Sequence, residues 1–149
     1  MTTARGWTLR VEEFVADVVA PVEARYGAEL AETQGRGTPA VVSELRVEAR
    51  RRGLWNLCLT DEVDGQALSS MEYAPLAEIT RRSPPAAEAI NCAGPDSVDM
   101  EILLPGGLAL QQQECLRPLA EGEVHSCSAM AKPEMASCDA RNSVAKIRR

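Results

Sequence analysis

Chemistry at a protein site needs particular side chains held close together, and the residues able to supply it are few in this sequence. One histidine, His125, and five cysteines, Cys58, Cys92, Cys115, Cys127 and Cys138, are the soft donors and thiol nucleophiles of the 149-residue chain. The cysteines are separated by gaps of 34, 23, 12 and 11 residues, so none forms the Cys-x-x-Cys pair that chelates zinc or runs disulfide exchange. No metal site is expected, and an odd set of scattered thiols reads as reduced cysteines in a cytoplasmic setting. The acidic group Asp61, Glu62 and Asp64 sits beside Gly65 and reads as a solvated loop. Arg50, Arg51 and Arg52 run directly into Gly53. They form either an anion-binding patch or, the preferred reading, a helix end, where cations complement the carbonyl pole and glycine takes the left-handed cap.

These groups must be positioned by the rest of the chain. With 45% hydrophobic residues it can bury a core, but five aromatic side chains supply little bulk, so aliphatics must fill it. Sixteen Lys plus Arg against 22 Asp plus Glu leave a net charge of −6. A binder of nucleic-acid backbone needs a basic face, and none is visible. The longest apolar-leaning stretch, 102–110, contains Pro105, Gly106 and Gly107 and falls far short of the roughly 20 residues that cross a bilayer. Glu12, Glu13 and Asp17 occupy the place of a signal sequence's apolar run, so export is not expected.

The clearest periodicity is Val11, Phe14, Val15, Val18, Val19, Val22, Tyr26 and Leu30, the recurrence of one helix face. Pro21 lies inside it and predicts a kink, because it removes a backbone donor and costs about 3 kcal/mol in an ideal helix. After a polar loop at 33–39, Val42, Leu45 and Ala49 mark a second helix. Ser69 and Glu72 form a capping box that starts a third, running to about Arg82 with Tyr73, Leu76, Ala77 and Thr80 inward; Ser83, Pro84 and Pro85 stop it. Helical pieces are expected at 86–91, 97–104 and 108–116, the last carrying Leu108, Gln112, Cys115, Leu116 and Leu119 on one side and ending toward Pro118. The stretch 124–130 has no helical stripe and reads as a strand entering a loop at 131–139, with His125 on the strand's surface. The fold class is thus mainly α, a helical bundle followed by a short, incomplete β segment.

Five segments in order, RRGLWNLCL at 51–59, SSMEYAPLAEI at 69–79, INCAGPDSVDMEILL at 90–104, LRPLAEGEVHSCSAM at 116–130 and KPEMASCDARN at 132–142, resemble the acyl-CoA dehydrogenase family. The likeness is to its helical N-terminal domain, here 1–122, and the start of its middle β-barrel, here 123–149. The resemblance implies an FAD flavoprotein that removes hydrogens from the α and β carbons of an acyl-CoA and passes electrons to an electron-transfer flavoprotein. It implies a flavin loop at 128–137, with Ser128, Met130, Ala131, Lys132, Pro133 and Ser137 as cofactor-binding residues and Ser137 also facing substrate.

Departures from the family's pattern fall in that loop. Ala131 replaces a Thr or Ser, deleting a hydroxyl whose bond to the ring is worth about 0.5–1.5 kcal/mol. Lys132 reverses the charge of a Glu, and Cys138 replaces a Ser. The family's proton-abstracting carboxylate comes from a C-terminal helical bundle, so no catalytic residue is assigned, and Glu134 reads as a solvated loop carboxylate. The expectation is a dehydrogenase fragment not competent alone, or alternatively a non-catalytic helical module pairing with a polypeptide that supplies the missing parts. A homo-oligomer is also compatible with the resemblance.

Overall fold

The computed structural model describes residues 4–34 and 36–127. Helix α1, Ala4–Phe14, buries Trp7, Val11 and Phe14 and packs against α4, Ser70–Thr80. The predicted stripe continues past Pro21, and the local structure explains how. Val15–Val19 forms a π turn in which the Ala20 N–H donates to the Val15 carbonyl, five residues back, and Ala20–Val22 then tightens into a 3-10 turn leading to α2, Glu23–Glu32. The widened turn immediately before Pro21 makes room for a ring that would otherwise press on the carbonyl four residues earlier.

Helix α3, Ala40–Arg51, buries Val41, Val42, Leu45 and Ala49. Its start is tied to α2 by Glu29, whose carboxylate accepts the Val41 N–H at 2.9 Å, and by Arg25, which bridges Glu29 and Glu44. Its end is the terminus that the arginine run predicts. Arg51 and Arg52 both pair with Glu48 at 2.6 Å, Arg50 lies 3.5 Å over the Trp55 ring, and Gly53 takes φ +64. These guanidinium groups are engaged with the protein and do not form an anion patch.

Residues 54–59 fold as consecutive turns in the centre of the core, with Leu54, Leu57 and Leu59 fully buried. Asn56 fixes this segment: its N–H donates to the Ile90 carbonyl at 3.0 Å, and its side chain donates to the Asp64 and Ala120 carbonyls at 2.8 and 2.9 Å. The capping box forms as expected, Ser69 Oγ accepting the Glu72 N–H at 3.3 Å and the Glu72 carboxylate accepting the Ser69 N–H at 2.9 Å. The inner face of α4 adds Ile79 to the expected set. Helix α5, Ala86–Ala89, packs on α3. After a cis Gly94–Pro95 bond comes α6, Asp96–Gly106, which extends through Pro105 instead of closing before it.

The last helical stretch departs further from expectation. It comprises α7, Ala109–Gln111, a π turn at Gln112–Leu116, and α8, Arg117–Glu121. It passes through Pro118, because here too the residue before the proline, Arg117, donates five residues back, to Gln112. The π turn also shifts the apolar stripe: Leu116 and Leu119 are buried, whereas Leu108 is 71% exposed and Cys115 is on the surface. Among the described residues there is no strand. Residues 124–127 are irregular, and the remainder of the expected strand lies outside the described residues.

Candidate functional site

An open cleft of about 380 Å³ is lined by Leu30, Thr38, Arg46, Glu88, Asp96 and His125, among others. Its organising group is Asp96, the first residue of α6 and only 7% exposed. One carboxylate oxygen, Oδ1, accepts the Ser126 N–H at 2.6 Å and the Ser126 hydroxyl at 2.8 Å; the other, Oδ2, lies 2.6 Å from His125 Nδ1. Burial alone would push this carboxyl's pKa up. The Ser126 N–H, the His125 ring and the Ser126 hydroxyl outweigh that and hold it below the ordinary carboxylate value, so the group is charged at neutral pH.

The far side of the imidazole sets its tautomer. His125 Nε2 lies 3.4 Å from Arg46 Nη2 and 3.2 Å from Thr38 Oγ1. A guanidinium only donates, so Nε2 must accept, and the ring proton sits on Nδ1 and points at Asp96. Arg46 also reaches the Glu88 and Gly122 carbonyls at 3.3 and 3.4 Å, linking α3 to the chain on both sides of the cleft. His125 is therefore a half-exposed member of a polar clamp and not a strand surface residue.

The chemistry open to this group is limited. The Ser126 hydroxyl is bonded to Asp96 and not to the imidazole, so no serine nucleophile is activated. Asp96, His125 and Thr38 do lie in relay order. However, the Nε2 lone pair that would take the threonine proton already faces a donor of Arg46. The cluster is built to hold a chain in place.

A second cavity, of about 580 Å³, is lined by Tyr73, Thr80, Ser83, Ala87, Glu88 and Cys92, among others. Ser83 Oγ is buried there without a hydrogen-bond partner. Behind it the Cys58 N–H donates to Cys92 Sγ at 3.3 Å; the bond to Cys92 and burial push the Cys58 thiol up, and Tyr73 is pushed up mainly by burial. Cys58 and Cys92 are buried free thiols and Cys115 and Cys127 exposed ones. Among the described residues no cluster of three or more His, Cys, Asp or Glu could hold a metal ion, and no helix is long and apolar enough to cross a membrane.

Asp96 and Arg46 were not singled out by sequence reasoning; the only cue was that Asp96 follows Gly94 and Pro95 at a helix start. The residues that were singled out, Ser128, Met130, Ala131, Lys132, Pro133 and Ser137, lie outside the described residues, as do Glu134 and Cys138.

This helical bundle has relatives among known proteins. The chain is 41% identical over 142 residues to the probable acyl-CoA dehydrogenase FadE2 of Mycobacterium tuberculosis, covering 93% of this chain and 34% of that one. It is 37% identical to acyl-CoA dehydrogenase family member 10 of Mus musculus, over 91% of this chain and 13% of that protein. A solved structure from Mycobacterium abscessus assigned to the acyl-CoA dehydrogenases superposes with a TM-score of 0.82 at 38% identity, covering 93% of this chain and 36% of that one. No protein-family model matches the chain. The chain belongs to the acyl-CoA dehydrogenase family and has the fold of that family's helical N-terminal domain. It spans about a third of the length of FadE2, 34%, and a smaller share of the mouse protein.

Proposed function

We propose that this chain supplies the helical part of an acyl-CoA dehydrogenase, together with the entry to its flavin loop, and that it does not catalyse alone. The observation that carries this reading is the clamp: Asp96 fixes Ser126 two residues before the segment 128–137 that resembles the family's flavin loop. In this reading the helical domain ends near 122 and 123–149 begin the middle domain.

FAD, when bound, supplies the hydride acceptor for oxidation of the acyl thioester, and the protein's share is to hold and orient it. The donors described at the cleft, on Arg46, Thr38 and His125, are directed at protein acceptors. On the family resemblance, cofactor binding is placed in this proposal at 128–137, with Ser128, Met130, Ala131, Lys132, Pro133 and Ser137 as the contacts. Ala131 and Lys132 favour weaker binding than the family's Thr or Ser and Glu would give. Acyl-CoA as substrate, electron-transfer flavoprotein as acceptor and a cytoplasmic setting complete the proposal, the last supported by cysteines without a pairing pattern.

The test is flavin uptake and acyl-CoA-dependent dye reduction by this chain, with and without a second polypeptide carrying the remaining two thirds of a relative. Turnover is expected only in the completed protein. Turnover by this chain alone would refute its dependence on further polypeptide, and failure of the completed protein to take up FAD would refute the dehydrogenase reading. The pairing alternative draws support from Ile102, Leu108 and Leu110, which are 62%, 71% and 62% exposed. Copurification of a stable partner would favour it.

A further inference from the structure

The clamp at Asp96 assigns a role to a residue outside the proposed flavin contacts. A single carboxylate takes three donors from two consecutive residues, Ser126 N–H, Ser126 Oγ–H and His125 Nδ1–H, at 2.6, 2.8 and 2.6 Å. These partners lie 29 and 30 residues away in sequence. Asp96 itself has little freedom, since it opens α6, where an acidic side chain also complements the helix's positive pole. On the other side, Arg46 holds the Gly122 carbonyl and the His125 ring, so the stretch from the end of α8 to Ser126 is gripped from α3 and α6 at once.

We propose that Asp96 is a positioning residue. Through Ser126 and His125 it sets the path of the chain between α8 and Ser126, just ahead of 128–137. The consequence for cofactor binding rests on the dehydrogenase reading above; the grip on the exit path does not.

The charge state of Asp96 gives this role a signature that general stability does not. In Asp96→Asn, an amide oriented to keep its oxygen on Ser126 places its NH2 opposite His125 Nδ1. The imidazole must then accept there and carry its proton on Nε2, facing Arg46 and Thr38. Asp96→Ala removes all three bonds. Ser126→Ala removes one and leaves the N–H bond, which keeps the test readable should an Asp96 variant fold poorly.

The experiment uses the full chain, with nitrogen-15 NMR of the His125 ring, amide hydrogen exchange at Ser126, thermal melting of the helices, and titration with FAD followed by flavin fluorescence. In the unaltered protein we expect a single Nδ1–H tautomer and a protected Ser126 amide. Asp96→Asn should switch the tautomer to Nε2–H, Asp96→Ala should speed Ser126 exchange about tenfold or more, and Ser126→Ala should speed it less, following the size of one lost hydrogen bond against several. An unchanged tautomer in Asp96→Asn together with unchanged exchange in Asp96→Ala would overturn the role. If the unaltered chain takes up FAD, Asp96→Ala should weaken uptake about tenfold, and equal uptake in both proteins overturns the consequence for cofactor binding while exchange and tautomer decide the grip on the exit path. If it takes up none while exchange and tautomer respond as stated, the role of Asp96 is supported and the flavin reading alone is weakened.

Discussion

The side-chain amides of Asn56 and Asn91 meet inside the core, Asn91 Nδ2 donating to Asn56 Oδ1 at 2.7 Å, and both residues hold left-handed backbone at φ +54 and +58. Between them they satisfy the carbonyls of Asp64, Leu119 and Ala120, so one buried pair joins the 54–59 turns, the end of α5 and the last turn of α8. Asparagine suits both needs, tolerating positive φ better than most residues while offering a donor and an acceptor.

Replacing Asn91 with alanine leaves Asn56 Oδ1 and the Leu119 carbonyl without this donor and keeps a side chain at positive φ. Each buried polar group left unsatisfied costs about 1–3 kcal/mol, so Asn91→Ala should lower unfolding free energy by at least about 2 kcal/mol. Asn91→Gly, which relieves the backbone but not the lost bonds, should lose less. Urea denaturation of the two variants measures the difference, and equal stability of both with the parent protein would refute the account.

Gly122, at φ +69, closes α8 directly beneath Trp55; a β carbon there would lie 2.9 Å from the indole ring. The Trp55 N–H also donates to the Ala120 carbonyl at 2.8 Å. Gly122→Ala should therefore cost about 1–2 kcal/mol from backbone strain, plus displacement of the ring. A shift in the tryptophan emission that is absent from Gly94→Ala, where a β carbon meets open space, is the expected reading.

The end of α3 predicts an acid-sensitive contribution. The two guanidinium groups of Arg51 and Arg52 pull the Glu48 carboxyl down from an ordinary 4.5 to about 2. Because its folded value is the lower one, the unfolded chain binds more protons in that interval, and stability rises with pH across it. The stability difference between the parent and Glu48→Gln should be full above about pH 4.5 and fade as pH falls toward 2. It should also shrink with added salt, since the cluster is exposed to solvent. Melting both proteins across this pH range checks the sign.

Thiol labelling should divide the cysteines by burial. Cys115 and Cys127 are exposed, whereas Cys58 and Cys92 are buried and the Cys58 thiol is held in its neutral form. The thiolate is the reactive species, so peptide mapping after brief treatment with a maleimide should find label at 115 and 127, and at 58 and 92 only after denaturation. Equal labelling at all four would contradict the packing described.

Local signals were readable from residue types, and distant ones were not. The Ser69–Glu72 box and the basic end of α3 depend on neighbours within four residues, and both formed as expected. The stripe from Val11 to Leu30 was legible for the same reason. Pro21 and Pro118 carry the same local meaning, yet the helix was expected to survive one and stop at the other; the π turns that carry it through both depend on spacing and not on a residue type. Leu108 and Cys115 were expected on one side with Leu116 and Leu119 but face outward, because the short α7 and the turn after it rotate the stripe. The Asp96 clamp was invisible because its partners meet across about 30 residues of irregular and helical chain, and nothing in a lone aspartate specifies a distant serine.

The pairing of Pro21 and Pro118 with widened turns limits how the chain can vary in length. A π turn holds one more residue than the α turn it replaces, so deleting a single residue from Val15–Val19 or Gln112–Leu116 would restore ordinary helical winding. That winding would bring the proline ring against the carbonyl four positions back. Loss of one residue at either site should therefore be better tolerated together with loss of the proline that follows, which makes the two changes a coupled pair in any shortened version of this bundle.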